Sequence, residues 1–266
     1  MLERLVVTKL INAGCSLDVQ LVGSEQILYL DEVAAIPNCA FWLKQLNIHR
    51  GASVPVAILK DLPTLFRFTI FSGPHSKFGD NELAEIAKCR QLEAVHLDNT
   101  PISDAGLAKL REHPTLKIAG LAGTSMTDKG LDSIGSIPHL IHLNIAGTQI
   151  TTAGLNRLQN AKNLQLLFAH DDRVSDGVSD LLKRTPNLHF VSFWRSDITT
   201  DILPTLAEMK SLSLIGLSFT KIKPEDCHIL KSLPNLRTLE LTKENAKPEE
   251  VQKLQDAIPW CDVVLK

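Results

Sequence analysis

Residues 92–107 read Leu92-Glu-Ala-Val95-His-Leu97-Asp-Asn-Thr100-Pro-Ile102-Ser-Asp-Ala-Gly-Leu107, and the same spacing returns every 24 residues to the end of the chain. The first leucine recurs as Leu116, Leu140, Leu164, Leu188, Leu212 and Leu236, without an insertion. Three residues after each stands Val95, Ala119, Leu143, Leu167, Val191, Ile215 or Leu239, and five after stands Leu97, Leu121, Ile145, Ala169, Phe193, Leu217 or Leu241. A fixed period of this length, opening on apolar residues with strand alternation, marks a solenoid whose coils bury their apolar sides against one another.

Ten residues into each coil comes Ile102, Met126, Ile150, Val174, Ile198, Ile222 or Ala246, which completes the strand-and-turn half of a leucine-rich repeat. The second half predicts a short helix. Leu107, Leu131, Leu155, Leu203, Cys227 and Val251 stand fifteen residues in, with Ser179 as the exception, and Leu110, Ile134, Leu158, Leu182, Leu206, Leu230 and Leu254 stand eighteen in. A three-residue separation puts both positions on one helical face. Ser103, Thr127, Thr151, Ser175 and Thr199 sit where a hydroxyl can cap a helix start, and Pro224 and Pro248 suit the first helical position. Thr100, Thr124, Thr148, Asp172, Ser196, Thr220 and Glu244 form a further column, expected to satisfy backbone groups in the turns between neighbouring coils.

The fold class is therefore α/β: a right-handed leucine-rich-repeat solenoid with a parallel concave sheet and short convex helices. One domain over 1–266 is expected, with an N-terminal cap at 1–42, two irregular coils at 43–91, seven 24-residue repeats at 92–259 and a cap strand at 260–266. In the irregular region Leu43, Leu46 and Ile48 open one coil, and Leu65, Phe68 and Ile70 open a longer one.

The segment Thr100-Pro-Ile-Ser-Asp-Ala-Gly-Leu107, with its echoes Thr124-Ser-Met-Thr-Asp-Lys-Gly-Leu131 and Thr148-Gln-Ile-Thr-Thr-Ala-Gly-Leu155, resembles the T-x-I-T-D-x-G-L repeats of bacterial leucine-rich-repeat proteins. The resemblance spans Leu43 to Lys266 and implies a ribonuclease-inhibitor-like horseshoe with a recognition role. Later coils depart from it at Val178, Ile202, Asp226 and Glu250, where the motif has glycine, so their helices are expected to sit differently.

Charge narrows the function. The chain carries 28 basic and 30 acidic residues without a block of one sign, which argues against a nucleic-acid partner. No stretch approaches the roughly 20 apolar residues of a membrane span. The start, Met1-Leu-Glu-Arg-Leu5, lacks the apolar core of a secretory signal, so a cytoplasmic setting is expected. Cys15, Cys39, Cys89, Cys227 and Cys261, odd in number and unpaired in spacing, are expected to be reduced thiols. A monomer without cofactor or metal is expected.

Strand alternation sends the positions two, four and six residues into each coil onto the concave surface. Leu166, Phe168, Phe190, Trp194 and Leu214 gather there on three neighbouring strands, rimmed by His142, His170, Asp171 and Arg195. A contiguous apolar patch with a polar rim has the anatomy of a protein interface. Side chains that shield one another are the alternative. Gly120, Ala122, Ala146 and Gly216 beside the patch leave low ground where a groove could form. The expected function is non-catalytic binding of a protein partner. A small-molecule hydrolase using His170, with Ser192 as the one matching nucleophile, and a recognition arm of a larger assembly are the alternatives. His96 and His142 lie two strands apart, roughly 10 Å, too far to share a zinc ion.

Overall fold

The computed structural model describes residues 2–65, 67–158, 161–170, 173–244 and 246–266. A helix, α1 (Leu2–Asn12), leads into β1 (Cys15–Leu21) and β2 (Ile27–Leu30). Then come β3 (Phe41–Ile48), β4 (Ile70–Ser72), β5 (Ala94–His96), β6 (Ile118–Gly120), β7 (His142–Asn144), β8 (Leu166–Phe168), β9 (Phe190–Ser192), β10 (Leu214–Gly216), β11 (Thr238–Leu241) and β12 (Asp262–Leu265). Among the described residues these make one sheet, ordered β12 down to β3 in sequence and then β1 and β2. From β3 to β12 the pairing is parallel, whereas β1 runs antiparallel to both β3 and β2.

The sheet is in register with the repeat: Ala94, Ile118, His142, Leu166, Phe190, Leu214 and Thr238 stand side by side. The apolar columns at positions zero, three and five are buried in all seven coils. One coil opens later, and is more regular, than the sequence pattern indicates. Phe71 pairs with Val95, so the coil opens at Phe68, 24 residues before Leu92, and not at Leu65. Its fifth position is Gly73, which breaks the apolar pattern, and the Phe71 ring lies within 3.3 Å of where a Cβ at Gly73 would be.

The return segments change character along the solenoid. Asp104–Leu107, Asp128–Ile134 and Thr152–Leu155 begin as α-helix and Asp176–Val178, Thr200–Ile202 and Pro224–Ser232 are 3-10 turns, but Pro248–Ala257 is again α-helix although Glu250 stands in place of glycine. Glycine marks the first group: a Cβ at Gly106, Gly130 or Gly154 would fall 2.2, 2.5 or 2.1 Å from Oδ1 of Asp80, Asp104 or Asp128 in the preceding coil. Each of these carboxylates is occupied. Asp104 accepts from the Thr127 N–H and hydroxyl at 2.8 and 2.6 Å and from the Gly130 N–H at 3.0 Å. Asp80 clasps Ser103, Asp128 clasps Thr151 and Asp176 clasps Thr199 in the same way. So the capping hydroxyls bind one coil to the next, a link that their helix-start reading does not reveal. The other threonine column works within a coil, contrary to expectation: Thr100, Thr124, Thr148 and Thr220 donate to the carbonyls of Leu97, Leu121, Ile145 and Leu217. Ser196 in that column bonds the previous coil, at the Ala169 carbonyl. Where Ser179 leaves the fifteenth position polar, Val178 is buried in its place.

All five cysteines are free thiols, four of them buried. Burial pushes the Cys15, Cys89 and Cys227 thiols up to about 12 and Cys261 to about 11. Only exposed Cys39 is therefore expected to react promptly with a thiol reagent at neutral pH, with all five titrating after unfolding without reductant. Fewer than five would reveal a disulfide and an oxidising compartment.

Candidate binding face

The sheet places Phe168 and Phe190 on adjacent strands with ring centroids 4.4 Å apart, and His142 stacks on Phe168 at 5.6 Å. A second row follows the lip of the sheet, where His170 meets Trp194 at 5.8 Å and Trp194 meets Phe219 at 5.4 Å with the rings nearly perpendicular. Phe168 and His170 join the rows at 6.0 Å. Such tilted and edge-on pairs suit the aromatic quadrupole. Their mutual cover leaves Leu166, Phe168, Phe190 and Leu214 half-buried, together with His142 and His170. Trp194 and Phe219 remain open, at 37% and 42% exposure. The Arg195 guanidinium lies 5.3 Å from the centre of the Trp194 ring. Asp171 and Asp172 lie outside the described residues.

Among the described residues seven positions into a coil, His75, Asn99, Gly123, Gly147, Arg195 and Phe219 take a left-handed conformation and Lys243 does not. Gly123 and Gly147 both have φ 64° and Asn99 has φ 56°, residues that accept it readily. Arg195 (φ 57°) and Phe219 (φ 60°) take it too, at a cost of about 1–2 kcal/mol each. The turn itself favours glycine there, so the fold does not ask for these two side chains. Phe219 was not among the expected site residues, although the glycines and asparagine of its column mark the position as one that an aromatic residue should avoid.

Beside this lip runs a groove of about 450 Å³ with a floor of Ala122, Gly123, Ala146 and Gly147. Asn99 stands at one end and His170, Trp194 and Arg195 at the other, His170 three strands away and Trp194 and Arg195 four strands away, about 19 Å for the latter pair. Gly120 and Gly216 do not line it. A Cβ at Gly120 would fall 2.8 Å from Asp98 Oδ2, and one at Gly216 would fall 2.5 Å from Ser192 Oγ, so both make room for neighbouring side chains.

His170 Nε2 shares a hydrogen bond of 2.8 Å with Ser192 Oγ. Burial holds the His170 imidazole below the ordinary histidine range against the pull of Glu240, and burial with nearby His96 does the same at His142 against Asp98. Both shifts favour the neutral ring. Ser192 itself is buried, at 4% exposure, and does not line the groove. Among the described residues no three His, Cys, Asp or Glu side chains converge as metal ligands, and no helix is long and apolar enough to cross a membrane.

No family model and no curated protein matches the sequence. Among solved structures the chain is similar to internalin C2 from Listeria monocytogenes, with a TM-score of 0.55, 21% identity, and 81% of this chain covering 85% of that one. It is also similar to a leucine-rich-repeat protein of Leptospira interrogans, with a TM-score of 0.50, 17% identity and 82% of this chain covered. The chain spans 58% of the length of that second protein. At these identities the likeness is one of architecture, and it agrees with the register of the coils: the chain has the leucine-rich-repeat fold.

Proposed function

We propose that the chain is a non-catalytic recognition module that holds a protein partner on its concave face, with the contact centred on Trp194, Arg195 and Phe219. The observation that carries this reading is the pair of bulky side chains held in left-handed turns beside an exposed tryptophan. Strain of that kind persists where a side chain has a use beyond folding. Leu166, Phe168, Phe190 and Leu214 flank the ridge, His142 and His170 form its polar rim, and the groove receives a projecting part of the partner.

The test takes a partner captured by the wild-type protein from its native cell and measures its affinity for variants. Truncating a central aromatic at an interface commonly costs 2 kcal/mol or more, so the Phe190→Ala, Trp194→Ala double variant should bind at least about thirty-fold more weakly. Phe190 also stacks on Phe168, which makes Trp194→Ala alone the cleaner probe. Arg195→Gly should weaken binding yet melt above Arg195→Ala, because glycine releases about 1 kcal/mol of backbone strain. Undiminished binding by all of these variants would move the contact off this lip.

The His170–Ser192 bond supports a second reading, a small-molecule hydrolase, since a neutral imidazole bonded to a hydroxyl is the core of a nucleophilic pair. Against it, Ser192 is buried, and among the described residues no carboxylate bonds the other His170 nitrogen. Nitrophenyl-ester hydrolysis abolished by Ser192→Ala would establish this reading over the first.

A further inference from the structure

At the opposite end of the sheet from β12, β2 is the outermost strand and, among the described residues, pairs only with β1. The N–H and C=O groups on its outer side therefore lack a ladder partner among the described residues, which makes this edge a template for an added strand. Edges of this kind are commonly protected by inward-pointing charge, proline or a covering element. Here the four residues Ile27–Leu30 contain neither charge nor proline, and Ile27 and Tyr29 are 57% and 58% exposed. Both lie on the concave side, opposite Gln20 and Asp18 of β1, whereas Leu30 on the other side is buried.

Along the chain, the segment that carries this edge has charge of one sign. Between Lys9 and Lys44 the chain contains no Lys, Arg or His, yet carries Asp18, Glu25, Asp31 and Glu32, in a protein whose acids and bases otherwise nearly balance. Glu25 and the pair Asp31–Glu32 flank β2 and are exposed. None of the four carboxylates has an ion pair among the described residues.

We propose that β2 is a docking edge for an extended segment of a different protein, one with apolar residues at alternate positions and Lys or Arg at both ends. The added strand supplies the missing ladder bonds, its apolar residues cover Ile27 and Tyr29, and its basic ends meet Glu25 and Asp31–Glu32. A second copy of the chain fits poorly. Antiparallel pairing of β2 with β2 across a two-fold axis would bring Glu25 of one copy against Asp31 and Glu32 of the other, and like charges facing each other oppose association.

Tyr29 is the only tyrosine in the chain, so selective isotope labelling makes its ring a single-site reporter of this edge. The probes are acetyl-Lys-Lys-Val-Thr-Val-Lys-Lys-amide and the same peptide with glutamate at all four lysine positions. The lysine peptide should shift the Tyr29 ring signals in a saturable way at millimolar concentration or below, and the glutamate peptide should bind at least tenfold more weakly. In a Glu25→Lys, Glu32→Lys variant the charges of the two lysines offset those of Asp18 and Asp31, so the preference should be lost while the melting temperature stays near wild type, since both positions are exposed. Equal affinity of the wild-type protein for the two peptides, no shift with either, or a preference that survives the two substitutions would each overturn the proposal. So would a Tyr29 signal that changes with protein concentration alone, which would reveal self-association. The edge lies apart from Trp194, so none of these outcomes bears on the lip.

Discussion

Replacing Leu158 with alanine is expected to cost about 2–5 kcal/mol of stability, the range for a large-to-small change in a packed core. Leu158 is 2% exposed and stands eighteen residues into a central coil. Its side chain packs over Gly135 of the preceding coil, close enough that a Cβ there would fall 2.9 Å from Leu158 Cδ2. On the other side, its carbonyl accepts from Arg184 of the following coil. Each coil in a solenoid is stabilised mainly by its neighbours, so a cavity here weakens stacking in both directions. Urea denaturation of Leu158→Ala measures the effect. A loss below about 1 kcal/mol would mean that the eighteenth position is not a core position.

The parts of this fold that the sequence makes legible are those governed by burial alone. A column of apolar residues every 24 positions has one physical explanation, and the parallel register follows from it. Where one column is interrupted, the reading slips: at Gly73 the missing apolar side chain shifts the apparent start of the coil from Phe68 to Leu65, because the Phe71 ring fills the gap from two residues away. The candidate site is less legible. Strand alternation correctly brings Phe168, Phe190 and Trp194 to the concave side, but it cannot say which rings cover which, and stacking leaves Trp194 and Phe219 as the open ones. The groove depends on Gly123 and Gly147, which serve the turn geometry first and the surface shape only as a consequence. The Asp–Thr clasp was hidden for another reason: its partners are 23 residues apart, and each alone reads as an ordinary helix-start residue.

That clasp makes a quantitative demand on the second half of the T-D-x-G motif. Asp128 accepts from the Thr151 N–H at 2.8 Å and from its hydroxyl at 2.7 Å, both charge-assisted bonds at a helix start. Asp128→Ala leaves these donors to solvent and should cost about 2–3 kcal/mol, allowing for partial exposure of the carboxylate. Gly154→Ala should also destabilise, by about 1–3 kcal/mol, because the new Cβ would fall 2.1 Å from Asp128 Oδ1 and 2.3 Å from its Cγ. The backbone at Gly154 does not require glycine, since its φ lies outside the left-handed range. Alanine is by itself the better helix former, by about 1 kcal/mol. Once Asp128 is alanine the two shortest contacts are gone and only its Cβ, 3.0 Å from the new one, remains, so Gly154→Ala should cost less in the Asp128→Ala background than in the wild type. The double variant should then be more stable than the sum of the single losses predicts, by about 1–3 kcal/mol. Strict additivity in this cycle would mean that the glycine is kept for some reason other than the carboxylate of the coil before it.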